Sequence, residues 1–206
     1  MRELAGSFAA AFLAAAVGAP ARAAEDPERV GKTIVRVERE GAVAIVSWDD
    51  MAVYYRTSRW ISLDTVVAPS KGPVSLRRSA VALVLPDGSR VPLATAERYH
   101  ATVEERKRPP LYRTRGGAEM RDPLEGLYRK EPESSTGTAT AWVCPSFWTK
   151  GLDGAIPEEI SPEPFKPFRN YLWFEVPGGA WPEGTYVLDL GVPGLALPFT
   201  LPPSKS

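Results

Sequence analysis

"AVALVLPDGSRVPLATAERYHATVEERKRPP", residues 80–110, changes its period once, and that change decides the fold. Up to Leu93 it reads as strand, turn, strand, continuing a strand pattern that begins at Val74. Asp87-Gly88 suits the positive φ of a tight hairpin. From Thr95 the apolar-compatible residues fall at Ala96, Tyr99, His100 and Val103, which is one face of a helix. Thr95 is an N-cap acceptor, and Glu97 complements the positive end of the helix dipole. Arg106, Lys107 and Arg108 complement the other end, and Pro109-Pro110 stops the element. The spacing predicts a helix over 95–108 inserted between strands.

Working outward, the upstream chain keeps period two. "TIVRVERE" (33–40) and "AVAIVSW" (42–48) flank a Glu40-Gly41 turn, "MAVYYRTS" (51–58) follows, and "WISLDTVVA" (60–68) puts Ile61, Leu63 and Val67 opposite Asp64. "PSKGP" (69–73) turns the chain, and residues 24–32 read as a charged lead-in. Downstream, Asp122-Pro123-Leu124-Glu125 has the form of a second helix start, with Asp at the N-cap and Pro at the first helical position. "TATAWVCPSFW" (138–148) returns to a strand pattern, with Pro145 marking where pairing ends, and a Pro-rich crossing segment follows. "NYLWFEVP" (170–177) carries Leu172, Phe174 and Val176 on one face and Tyr171 and Trp173 on the other. "GTYVLDLG" and "LALPFTLP" complete the set, Pro198 marking an edge strand or a bulge. About nine short strands with turn signals between them imply a mainly β chain, a two-sheet antiparallel sandwich. The strands with Trp142 and Trp173 are apolar on both faces, so one face needs a cover. The helix is expected to lie on the outer face of the sheet holding 138–144 and 171–176.

Composition agrees. Of 206 residues, 21 are proline, about twice the average usage, which argues against a mainly helical chain. Residues 1–23 read as a secretory signal peptide: Leu4–Val17 is an Ala-rich apolar run and Ala21-Arg22-Ala23 offers small residues for cleavage. The expected mature domain is 24–206, a single unit with a helical and loop insertion at about 95–137, exported to the periplasm or the extracellular space. Without the leader's Arg2, Glu3 and Arg22 the chain has 23 basic and 24 acidic residues, which offers no footprint for nucleic acid. No later run is long and apolar enough to span a bilayer. One Cys and one His cannot build a zinc site of the usual Cys/His type or an internal disulfide. Carboxylate metal sites stay open, but no Asp-rich calcium-loop spacing occurs, and the expectation is no metal and no cofactor.

"WISLDTVVAPSKGPVSL" (60–76), "ALVLPDGSRVPLAT" (82–95) and "LWFEVPGGAWPEGTYVLDL" (172–190) resemble exported bacterial immunoglobulin-like domains of uncharacterised function. The likeness covers roughly residues 40–200. It implies an immunoglobulin-like sandwich with an envelope binding or accessory role, and no catalytic residues. The paired cysteines of antibody-type domains are missing, so no disulfide carries over.

Three kinds of chemistry compete on the residues themselves. The basic segment with Arg106, Arg108, Tyr112, Arg113 and Arg115 has donors for an anionic ligand or an acidic envelope protein. Its plain alternative is a helix end followed by a solvated loop. Cys144 and His100 form the chain's one possible thiol–imidazole pair, which a thiol-dependent hydrolase would need. "WVCPSFW" lacks the helix N-terminus behind such a cysteine, and a small buried side chain is the plain alternative. Trp60, Trp148 and Trp181 adjoin turn or Pro/Gly-rich segments and are candidates for stacking on sugars, Trp148 foremost. No nucleophile elbow, phosphate loop or dinucleotide fingerprint occurs. The expectation is a non-enzymatic binding or assembly module.

Overall fold

The computed structural model describes residues 27–39, 41–48, 59–106, 145–151, 154–176 and 181–201. The expected strand 51–58, the expected helix start at 122–125 and the strand 138–144, with Cys144, lie outside the described residues. The elements in order are β1 (Glu28–Val30), β2 (Ile34–Arg39), β3 (Ala42–Ser47), β4 (Trp60–Pro69), β5 (Leu76–Arg77), β6 (Ala82–Val84), β7 (Arg90–Pro92), α1 (Ala96–Arg106), β8 (Glu159–Ile160), β9 (Phe168–Glu175), β10 (Thr185–Asp189) and β11 (Ala196–Thr200). The chain is mainly β. One sheet runs β1-β2-β3-β4-β9, a second runs β11-β10-β6-β7, and β5 pairs with β8 alone. All the pairings are antiparallel.

Register explains the layers. β4 pairs with β9 so that Ile61 meets Phe174, Leu63 meets Leu172 and Val67 meets Phe168. Adjacent residues alternate faces, so Trp60, Ser62, Asp64 and Val66 point the other way with Glu175, Trp173, Tyr171 and Arg169. In the second sheet Val91, Leu83, Leu188 and Leu197 form one row across the strands. These rows fall in one apolar cluster with the Ile61 face, so the two sheets share a core. Trp48 stacks on Phe199 at 5.0 Å and Phe199 on Tyr186 at 5.6 Å. Burying a large apolar side chain of this kind contributes about 1.5–3 kcal/mol.

Several expectations are met at these positions. The Asp87-Gly88 turn closes with Leu85 N–H donating to Ser89 O at 2.8 Å, and Gly88 has a φ of 83°, where a side chain would be strained. β11 is an edge strand, as Pro198 implied. Two expectations need correction. The strand pattern from Val74 to Leu85 is broken at Arg78–Ala80, where Ala80 N–H donates back to Arg77 O at 2.9 Å. β5 therefore leaves the sheet of β6 and pairs with β8 inside the Pro-rich crossing segment. The charged lead-in contains β1, an edge strand whose Glu28 meets Arg36 of β2 across the pair at 3.1 Å.

The outer face of the five-stranded sheet has three zones. Trp60 and Trp173 lie at one end, beneath α1. Asp64 follows, 8% exposed and held by the Arg169 guanidinium at 2.9 Å. Ile34, Val43, Ile45 and Val66 then form a second, smaller apolar cluster.

Candidate functional site

The site is built where α1 meets β9. Thr95 caps α1 as its composition implied: its Oγ1 accepts from Arg98 N–H at 3.1 Å. The cap directs the first turn so that Arg98 and Tyr99 face the sheet. Arg98 grips Glu175 at both carboxylate oxygens, Nε to Oε2 at 2.8 Å and Nη2 to Oε1 at 2.7 Å. Such a two-pronged contact fixes orientation as well as distance. Its guanidinium also covers the Trp60 ring at 5.7 Å. Arg59 approaches the same Glu175 oxygen at 3.3 Å. The Arg98 hydrogen bonds, above all, lower the Glu175 pKa, against a smaller opposing effect of burial.

Tyr99 sits between two indoles, 4.7 Å from Trp148 and 5.7 Å from Trp173. Trp148 lies in the segment where the chain rejoins the described fold after the insertion. Its indole N–H donates to Tyr171 O on β9, the last strand of the five-stranded sheet, at 2.7 Å. Ala94, just ahead of α1, donates its N–H to Trp173 O on that same strand at 2.9 Å. His100 is exposed and donates from Nε2 to Trp148 O at 2.8 Å.

Arg78 pins the other side. It is 8% exposed and its guanidinium donates to Ala94 O at 2.9 Å and to Phe147 O. It lies 5.2 Å from the ring centroids of both Phe147 and Trp148. Burial lowers its pKa, and the nearby Glu158 carboxylate partly opposes this. The guanidinium thus ties the chain before α1 to the chain after the insertion.

The expected contact residues divide as follows. Arg106 closes α1. Arg108, Tyr112, Arg113 and Arg115 lie outside the described residues. Trp148 is not available to a ligand: it is 3% exposed, under Tyr99 and beside Arg78. Trp60 at 3% and Trp181 at 6% are buried as well, so the expected exposure of all three tryptophans is corrected. A position beside Pro or Gly was a poor guide because the covering groups, Arg98, Tyr99, Arg78 and Tyr186, are remote in sequence or lie across a turn. The helix does lie on the outer face at 171–176, through Tyr99 on Trp173.

Sequence reasoning passed over Arg78, Arg98 and Glu175. Each had a signal: Arg78 interrupts an apolar run, and Glu175 is the one charge in "LWFEV". Among the described residues no group of three or more His, Cys, Asp or Glu side chains could hold a metal, and no helix is long and apolar enough to cross a membrane. The arrangement is a clamp. It fixes both roots of residues 107–144 against one sheet edge. No family model, curated protein or solved structure matches the chain.

Proposed function

We propose that this chain is an exported, non-enzymatic binding or assembly module of the cell envelope, built on an immunoglobulin-like sandwich that presents the helical and loop insertion at about 95–137. The observation that carries the reading is the clamp. Arg98–Glu175, Tyr99–Trp148 and Arg78 on two carbonyls hold both roots of one long insertion, an investment that a slack connection does not require. The contact surface in this reading is Arg106, Arg108, Tyr112, Arg113 and Arg115, and the partner is an acidic envelope protein or another anionic ligand.

Tyr186 supports the immunoglobulin-like part. It stands at the start of β10, and its hydroxyl donates to Pro182 O four residues upstream. A tyrosine tied back to the chain before its strand is a recurrent corner of such sandwiches. The Ala-rich N-terminal run with Ala21-Arg22-Ala23 supports export. The glycan reading has lost its platform among the described residues, since Trp60, Trp148 and Trp181 are buried.

The test is a pull-down from envelope extract with the wild-type chain and with Arg113→Glu/Arg115→Glu. Capture of an envelope component by the wild type should be lost in the variant while the Tm stays the same. Equal retention by both proteins overturns the assignment of the surface.

A further inference from the structure

Phe165 combines two anomalies. Among the described residues it is the one non-glycine with positive φ, 64°, and the one exposed large hydrophobic residue, at 63%. Glu163 N–H donates to Lys166 O at 3.3 Å and Lys166 N–H to Glu163 O at 2.9 Å, which leaves Pro164-Phe165 as a two-residue tip. Proline fits the first corner of such a turn. The second corner takes positive φ and is ordinarily glycine. A bulky side chain there is a genuine outlier. In a core, burial of the ring would offset the strain; here the ring is 63% exposed, and among the described residues no contact repays it. Strain kept without a structural return is an indication of function.

The surroundings present the ring rather than hide it. Pro162 and Pro167 on either side are buried, and Val74 N–H donates to Pro162 O at 3.2 Å. Ile160 and Phe168 root the two arms in the core, at 3% and 0% exposure. Prolines at 162, 164 and 167 each fix φ. The tip is thereby set before any encounter, which lowers the ordering cost of association.

We propose that Phe165 is a docking anchor for a protein partner that offers an apolar, ring-sized pocket with a polar rim. A single ring on a stiff tip suits a pocket, whereas a flat apolar interface needs a contiguous patch. The rim of the tip is the Glu163–Lys166 ion pair at 3.4 Å, both side chains more than half exposed. One carboxylate for each cation is the wrong charge pattern for an anionic lipid surface, where basic residues must dominate. The inference rests on the binding reading above but uses a different surface.

The experiment places a photoreactive benzoyl group on the ring of residue 165, with exposed Glu183 as the control position, and irradiates the full chain in envelope extract. A discrete protein adduct is expected at 165 and not at 183. Excess wild-type chain should suppress it, and Phe165→Gly and Phe165→Asn should not. The protein recovered from the adduct, once purified, should bind Phe165→Gly at least tenfold more weakly than wild type. Glycine accepts the turn, so Phe165→Gly should also raise the Tm by about 2–4 °C. A fall in Tm means that the ring serves the fold and overturns the proposal. Equal suppression by the wild type and both variants overturns it as well, as does an adduct formed only with a second copy of the chain. Ring-dependent sedimentation with phosphatidylglycerol vesicles would assign the tip to lipid instead. Absence of an adduct, with retention that depends on Arg113 and Arg115, removes this inference alone. Absence of any retention by the wild-type chain removes the binding reading too.

Discussion

Arg78→Ala tests whether the clamp is held from the buried side. In the wild type the guanidinium donates to two carbonyls, Ala94 O and Phe147 O, with the rings of Phe147 and Trp148 beside it. Hydrogen bonds from a charged donor contribute about 1.5–3 kcal/mol each, so two are worth about 3–6 kcal/mol gross. Truncation also releases the desolvation cost of a buried cation, which offsets part of that loss. Stranding two carbonyls pulls the other way. The exposed Glu158, 3.5 Å away and 78% accessible, adds little. The expected net loss is about 3 kcal/mol, large against a total of about 5–15 kcal/mol. Arg78→Lys should lose roughly half as much, because a compact ammonium cannot reproduce the fork that serves both carbonyls. Urea unfolding at unchanged m-value measures both variants. Amide exchange should accelerate first at 94–102 and 145–151, while Leu83 and Leu188 in the second sheet stay protected. A loss below about 1 kcal/mol for Arg78→Ala, the range of an ordinary surface change, would refute the reasoning.

Acid should release α1 before the core. The folded-state pKa of Glu175 is lowered, so its contribution is fully present above the ordinary Glu value, about 4.3, and is lost as pH falls through the lower folded value. Amide exchange of α1 followed below pH 4.3 should show the step, and Glu175→Gln should abolish it. Trp148→Phe keeps a ring under Tyr99 but leaves Tyr171 O without its donor, with an expected cost of about 1–2 kcal/mol in urea unfolding; an unchanged midpoint counts against the edge bond. Gly191→Ala should destabilise far more than Gly88→Ala. Both have positive φ, but a methyl at 191 would collide with Ala80 Cβ, whereas nothing lies within 4 Å at 88; equal Tm losses would contradict this packing.

How much was legible follows from what carries a period. β2, β3, β4, β9, β10 and β11 each run for five or more residues, long enough for strand character to be read, although β3 and β4 are buried on both faces. β5 and β8 are two residues each, too short for any period, and their pairing of Leu76 with Ile160 is a tertiary fact. β1 carries Glu28 and Arg29, which read as solvated chain until Arg36 is seen across from Glu28. At the site, the docking of the helix was legible because Trp173 and Tyr171 made a second apolar face. The clamp was not, because it depends on charges. Arg98 looked like one of several helix cations, and nothing local marks Glu175 as its partner 77 positions away. Phe165 was hidden for the same reason: neither its positive φ nor its exposure can be read from "SPEPFKPF".

The clamp and the sheet edge are one structure, and this limits which variants can report on function. β9 ends the five-stranded sheet, and its outward carbonyls would pair with another chain if left open. Ala94 N–H and the Trp148 indole close two of them, at Trp173 and Tyr171. Among the described residues, the segments that cover this edge are therefore the two roots of the insertion. A substitution at Arg78, Arg98, Tyr99 or Trp148 loosens the roots and opens the edge together, so lost binding in such a variant cannot be separated from aggregation. Phe165 stands apart from these contacts, and the proposed surface assigns Arg113 and Arg115 to recognition. Only there does a change in capture at constant or raised Tm isolate recognition from folding.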